Sequence, residues 1–248
     1  MTKVRADLLL VSRGLAESRA KAQAAIAAGG VTADGRVVAK ASEVLDEACD
    51  LQARAAHPYV GRGALKLVHA LELWPVVVEG RVVLDVGAST GGFTQVCLER
   101  GAARVYAVDV GRGQLHAKLT ADPRVVTLEG VDARTLTADL ISQPPQLVVC
   151  DASFIGLAKV LPAALALAAP EADLIALVKP QFEVGPDHVG KGGIVRDGEA
   201  QARALADVAS FLTASGWAVL DTADSPIQGG DGNSEYLLHA RKSRPVGG

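Results

Sequence analysis

Short unbroken apolar runs recur along most of this chain, and each is closed by a charged residue or a turn. Val82 to Leu84 runs into Asp85, Arg104 to Val108 into Asp109, and Val125 to Leu128 lies just before Asp132. Leu147 to Cys150 meets Asp151, and Leu174 to Val178 meets Lys179. Two further runs follow, Trp217 to Leu220 and Tyr236 to His239, the second directly after Glu235. Runs without polar alternation predict strands covered on both faces. Between them, helical patterns cover Ala64 to Leu73, the residues after the glycine-rich stretch near Gly92, Phe154 to Ala169 and Gly198 to Ser215. Alternating strands and helices of this kind predict a doubly wound, Rossmann-like α/β sheet with its ligands at the carboxyl ends of the strands.

The first fifty or so residues follow another pattern. A short helix is expected from Asp7 to Arg13, stopped by Gly14, and a second opens after the N-cap candidate Ser18 and ends at Gly29-Gly30. Short β segments around Val31-Thr32 and Val37-Val38 flank Asp34-Gly35, a hairpin turn signal. Gln52 to Gly63, containing Pro58, reads as a connector. The expected layout is a small α+β domain over 1–53, a linker over 54–62, an α/β domain over 63–243 and a tail over 244–248.

Charge refines this picture locally rather than globally. The net charge is -3, the pI about 6.0 and the mean hydropathy +0.24, so nucleic-acid contact would need a local basic patch. Residues 1–40 supply one: seven basic side chains against three acids, with Glu43, Asp46, Glu47 and Asp50 following. The three cysteines form no metal-like spacing and their odd number suggests reduced thiols in a cytoplasmic protein. The five histidines are scattered, so no metal is expected. No secretory leader is evident, and charges and prolines interrupt the apolar stretch from Ile155 to Val178, so no membrane association is expected.

The candidate chemistry lies at the strand ends. VVLDVGASTGGF (82–93) delivers a strand into a glycine-rich turn, and Asp109 closes the next strand. This is a nucleoside-binding half-fold, in which the backbone approaches the ligand and the acid accepts from ribose hydroxyls. The turn is GASTGG rather than G-x-G-x-x-G, which points away from a redox dinucleotide. Lys66, Asp151, Lys179 and Glu235 fall on the expected ligand side, and a buried Asp-Lys pair there is a candidate proton-handling unit.

Arg5-Ala6-Asp7, GLAESRAKAQAAIAAGGV and DGRVVAKASEVL resemble the small RNA-binding domain of the ribosomal S-four-like type. The resemblance implies that Arg5, Arg13, Arg19 and Lys21 face an RNA backbone; Arg62, in the linker, is a further candidate for phosphate contact. Over nearly the whole chain, GRGALKL (61–67), LDVGASTGGFT (84–94), YAVDVGRGQL (106–115), CDASFI (150–155), VKPQFEVG (178–185), GKGGIVRD (190–197) and NSEYLLH (233–239) resemble the TlyA-type hemolysin family, whose catalytic domain is FtsJ-like. What this implies is an S-adenosylmethionine-dependent ribose 2'-O-methyltransferase of ribosomal RNA, acting on cytidine in assembled subunits, with a lean toward the large subunit. The cofactor would lie over Asp85, Gly87, Ala88, Ser89, Thr90, Gly91, Gly92 and Phe93, with its ribose on Asp109 and its adenine near Asp132. The family's Lys-Asp-Lys-Glu tetrad falls on Lys66, Asp151, Lys179 and Glu235, with Lys179 as base. Two departures stand out: Gly61-Arg62-Gly63-Ala64 replaces the usual S-R-G-G, and Asp132 replaces an Asn. The competing readings are a non-catalytic RNA-binding or assembly factor, a membrane-lytic protein and a small-molecule methyltransferase.

Overall fold

The computed structural model describes residues 2–53, 57–229 and 231–242. It divides into two units, Met1–Pro58 and Tyr59–Gly248, a division that falls inside the linker expected at 54–62. Residues 54–56 and the tail from 243 lie outside the described residues.

In the first unit, β1 (Lys3–Arg5) leads directly into α1 (Ala6–Ser12), and α2 (Arg19–Ala27) follows. Ser18 caps α2 by accepting from the Lys21 amide at 3.3 Å. Strands β2 (Val31–Ala33) and β3 (Arg36–Val37) form the expected hairpin across Asp34-Gly35, whose two residues both take positive φ. The pattern analysis did not anticipate β1, β4 (Val44–Asp46) or β5 (Leu51–Ala53). Each is three residues long and only partly buried, too short for a period-two signal to emerge. β1 pairs with β4, β5 joins β2, and Leu9, Leu10, Ile26, Val31 and Leu51 fill the small core.

The second unit is built on a seven-stranded sheet. α3 (Ala64–Leu73) precedes β6 (Val82–Val86), followed by α4 (Gly92–Glu99), β7 (Arg104–Asp109), α5 (Ala117–Thr120), β8 (Val125–Glu129) and β9 (Leu147–Cys150). Then come α6 (Leu157–Val160), α7 (Pro162–Leu167), β10 (Ala172–Val178), α8 (Pro180–Glu183), α9 (Gly198–Ala214), β11 (Trp217–Asp224) and β12 (Tyr236–Lys242). The strand order is β11-β12-β10-β9-β6-β7-β8; β10 to β8 are parallel, and β12 runs antiparallel to both of its neighbours, β10 and β11. The order reverses between β6 and β9, the crevice where such sheets bind ligands.

Side chains alternate across the sheet into two cores. Leu84, Val86, Val148 and Ala176 pack with α6, α7 and α9, whereas Val83, Val149 and Ile175 pack with α3 and α4. The helix expected over 154–169 is broken instead. Phe154 takes a positive φ of 65°, Gly156 is extended, and Pro162 begins a new helix, where its missing N–H leaves no donor unsatisfied.

At the sheet end opposite the ligand crevice, buried Asp173 ties three strands together. It accepts from Arg81 (2.7 Å) before β6, and from His239 (2.9 Å) and Arg241 (2.8 Å) on β12. Burial raises its carboxyl, but the bonds from His239, Arg81 and Arg241 outweigh this and hold it well below the usual carboxylate range. Its stabilising contribution is therefore present above about pH 4 and is lost as pH falls. Asp173→Ala is expected to cost about 3–5 kcal/mol at neutral pH, read from urea midpoints, with a smaller deficit in acid.

Candidate active site

Strand register converts sequence positions into a site. Cys150 pairs with Val86 and Ala176, so Asp151 leaves β9 beside Gly87 on β6 and just short of the end of β10. Val178 pairs with Tyr236, which sets Glu235 next to Lys179. A residue preceding a strand reaches the carboxyl-end crevice only if that strand runs antiparallel, as β12 does. Lys66 comes from the first turn of α3, between the buried Ala64 and Leu67.

The four residues form a chain of alternating charge. Lys179 Nζ lies 2.7 Å from Asp151 Oδ1, Lys66 Nζ lies 3.8 Å from the same oxygen, and Lys66 Nζ meets Glu235 Oε2 at 2.5 Å. Asp151 Oδ1 receives both ammonium groups as ion pairs without a directed hydrogen bond. Lys179 instead donates to Ser153 Oγ (2.9 Å) and to the Asp151 carbonyl (3.3 Å). Lys66, Lys179 and Glu235 are only 5–6% exposed, so the pairing is what makes their burial tolerable. Space for the carboxylates comes from glycines: a Cβ on Gly63 would lie 3.0 Å from Asp151 Oδ2, and one on Gly229 would lie 2.5 Å from Glu235 Oε1.

Two cavities meet at this chain. One, of about 400 Å³, holds all four residues together with Arg62, Phe93, Gln181 and Phe182. The other, of about 620 Å³, runs past Asp109, Val110, Gly111, Asp132 and Arg134. Gly87, Ser89, Asp151, Ser153 and Phe154 line both. Gly87 (φ 83°) permits this junction, since a Cβ there would sit 2.9 Å from the Ala152 Cα. The turn continues through Ala88, Ser89 and Thr90 to Gly91 and Gly92, which open α4. Asp109 accepts from the amides of Ser89 (2.8 Å) and Gly111 (2.7 Å), one on each oxygen, leaving lone pairs for a ligand hydroxyl.

Other sequence candidates sit differently. Asp85 lines neither cavity: it is fully buried on the α4 side, bonded to Thr94 Oγ1 at 2.7 Å, and its Oδ1 finds no donor. Gly91 also lines neither cavity. Asp132 lines the larger cavity, but both of its oxygens engage Arg134. Tyr59 packs on the core of the second unit. In the first unit, Arg5 and Arg19 pair with Asp7, Lys21 with Glu17, and Arg13 donates to the Cys49 (2.8 Å) and Glu47 carbonyls. Arg62 lines the smaller cavity and reaches the Gln228 carbonyl at 3.5 Å.

Several contributors went unnoticed in the sequence. Ser153 bonds Lys179, and Phe154, 88% exposed, packs against Phe182 with ring centres 5.2 Å apart and planes tilted by 45° at the cavity mouth. Glu129 ends β8 and accepts from the amides of Gly113, Gln114 and Leu115, which braces the loop after Asp109 and lowers its own carboxyl. Its position at a strand's carboxyl end was the available signal. Asn233 is buried two residues before Glu235, bonding the Val195 amide and the Gly193 carbonyl. The three cysteines are free and buried, and burial pushes the Cys150 thiol up to about 12.

Comparison with known proteins places these features in context. A family profile described as FtsJ-like methyltransferase matches residues 59–242, and one described as S4 domain matches residues 4–50. The chain is similar to the 16S/23S rRNA (cytidine-2'-O)-methyltransferase TlyA of Mycobacterium tuberculosis, 48% identical over 96% of this chain and 90% of that protein. It is also similar to Hemolysin A of Brachyspira hyodysenteriae, 37% identical over 95% of this chain and 99% of that protein. A solved structure from Streptococcus thermophilus, described as a hemolysin, superposes with a TM-score of 0.78 at 40% identity, covering 99% of this chain and 90% of that one. No helix among the described residues is long and apolar enough to cross a membrane.

Asp85 yields a pH prediction. Burial, with smaller contributions from the charges of Asp151 and Asp109, raises its carboxyl to about 7 against the opposing bond from Thr94. The folded chain therefore holds a proton that the unfolded chain releases near pH 4, and stability falls as pH rises from about 4 to 7. Asp85→Asn cannot ionise. Its urea midpoint relative to wild type is expected to climb between pH 5 and pH 8; a constant difference would show that Asp85 titrates normally.

Proposed function

The chain belongs to the TlyA family of FtsJ-like methyltransferases and carries an S4 domain, and on that premise we propose that it methylates the ribose 2'-hydroxyl of cytidine in ribosomal RNA with S-adenosylmethionine as donor. The observation that carries this reading is the buried Lys179–Asp151–Lys66–Glu235 chain at the junction of two cavities. The identity to the Mycobacterium tuberculosis protein, whose printed name is that activity, supports the substrate.

The residues present fit the donor. Asp109 offers lone pairs at the position expected for a ribose diol, and Ser89 and Gly87 bring backbone within reach of a bound nucleoside. A cleft of about 620 Å³ is within the range of small-molecule sites, and its junction with the tetrad cavity gives a path from donor to acceptor. When bound, S-adenosylmethionine supplies an electrophilic methyl group.

The chain's own residues handle the acceptor. A hydroxyl attacks poorly while it keeps its proton, so a base beside it is required. Lys179 takes that role in its neutral amine form, which has the lone pair to accept the hydroxyl proton as the methyl group is transferred; its Nζ is held by Asp151 and Ser153 and faces the cavity. Asp151 holds Nζ in place, and Lys66, itself anchored by Glu235, holds Asp151 from its other side. Holding the acceptor in line with the donor supplies much of the remaining acceleration, about 7–11 kcal/mol at the limit of effective-molarity effects. The S4 domain binds structured RNA through backbone contacts, which give affinity rather than sequence choice. Arg62 and Phe154 at the cavity mouth face the incoming nucleotide.

The test is transfer of radiolabelled methyl from S-adenosylmethionine to purified small subunits, large subunits and naked rRNA. Wild type is expected to label at least one subunit on a cytidine ribose. Lys179→Ala is expected to lose about a hundredfold or more in rate while still binding the donor. Donor binding without label on any RNA would overturn the assignment.

A further inference from the structure

Asp7 is a charged side chain with no exposed surface, set within residues 1–40, where basic side chains outnumber acids seven to three. It sits in the first turn of α1, between Arg5 at the end of β1 and Arg19 at the start of α2. Its Oδ2 accepts from Arg5 Nη2 (3.0 Å), Arg19 Nε (2.8 Å) and Gln23 Nε2 (3.0 Å), and its Oδ1 from Arg5 Nε (3.0 Å) and the Leu8 amide (3.1 Å). Two guanidinium groups from different elements thus meet at one carboxylate oxygen.

That arrangement leaves a particular surface. The Arg5 and Arg19 side chains are still 39% and 55% exposed. A guanidinium has five N–H donors, so Arg5 keeps about three unused and Arg19 about four. One buried carboxylate against two cations leaves the cluster with net positive charge. Elsewhere in the unit, Arg13, Lys21 and Arg36 are tied to the chain's own carbonyls or acids. Among the described residues of the unit, the Arg5–Arg19 pair therefore gathers two forked donors at one fixed place. Paired forks suit the non-bridging oxygens of a phosphodiester far better than a mobile ammonium does.

We propose that Asp7 is a positioning residue for RNA binding: it locks Arg5 and Arg19 side by side as a preformed clamp for an RNA phosphate. This rests on the reading of the S4 domain as the RNA-binding part of the chain. The bonds from Arg5, Arg19 and Gln23 hold the Asp7 carboxyl well below the usual range despite its burial, so the clamp stays assembled at any physiological pH.

The proposal makes a prediction of unusual sign. Removing a negative charge from an RNA-binding surface should tighten binding if charge alone matters. If Asp7 orders the clamp, Asp7→Asn weakens it. The experiment is filter binding of the full chain to purified ribosomal subunits over a range of salt concentrations, with Asp7→Asn, Arg19→Ala and the double variant. Expected is a loss on the order of tenfold for Asp7→Asn and for Arg19→Ala, with the double variant no weaker than Arg19→Ala alone. Arg19→Lys, which keeps the charge and removes the fork, is expected to bind as weakly as Arg19→Ala, and it tests the clamp even if Asp7→Asn perturbs the fold of the unit. Unchanged or tighter binding by Asp7→Asn in a folded protein, or wild-type binding by Arg19→Lys, would overturn the positioning role. If Arg19→Ala itself binds as wild type, the failure lies with this face as the RNA surface.

Discussion

Four ionisable side chains are held together at the carboxyl edge of an apolar sheet, three of them almost completely removed from water, and they are compatible with that burial only because their charges alternate. An isolated charge in such a place would neutralise or unfold the region. Alternation requires that the four arrive from four different directions in a fixed order, and much of the second unit can be understood from that requirement. Asp151 and Lys179 leave parallel neighbours, Glu235 enters from an antiparallel strand, and Lys66 is delivered by the helix before the first strand. Gly63 and Gly229 give up their side chains to make room for the two carboxylates.

The opposite edge of the sheet solves a similar problem with one acid instead of two. Asp173 gathers Arg81, His239 and Arg241, joining the approach to the first strand with both partners of the antiparallel pair. The sheet is therefore pinned by ionic contacts at both ends of β10 and β12, with uninterrupted apolar packing between. At the carboxyl ends of β6 and β7, the larger cavity is bordered by Asp109, which accepts from two backbone amides, and the loop beyond it is braced by three amides on Glu129. Rigid framing of this kind is what positioning a methyl donor and acceptor demands.

Much of this was legible in the sequence, for physical reasons. Strands buried on both faces announce themselves as unbroken apolar runs, as β6, β7, β9 and β10 did; apolar runs also marked β8, β11 and β12, although β8 is only partly buried and β11 is largely exposed rather than covered on both faces. The glycine turn and the strand-terminal charges gave the cleft, while the grouping of Lys66 and Glu235 with Asp151 and Lys179 came from family resemblance. What stayed hidden involves direction and partnership. Nothing in Tyr236 to His239 says that the strand runs backward, yet only that direction brings Glu235 to the crevice. Asp85 looks like a cleft acid from its position beside the turn, but side-chain alternation points it at Thr94 instead. A basic excess over residues 1–40 does not show that Arg5, Arg13, Arg19 and Lys21 are each paired within the fold. The three-residue strands β1, β4 and β5 carry too little pattern to be seen at all.

The free thiols have a consequence of their own. Cys49 is buried in the first unit, while Cys97 and Cys150 are buried in the second, in a helix and a central strand. Burial suppresses the thiolate forms of Cys97 and Cys150, and Cys49 is closed off from solvent, so none reacts readily while its surroundings stay closed. The chain thus carries natural opening clocks in both units. A thiol reagent in excess would time the excursions of each unit separately, and with them the degree to which the two fold as one cooperative body or as independent ones.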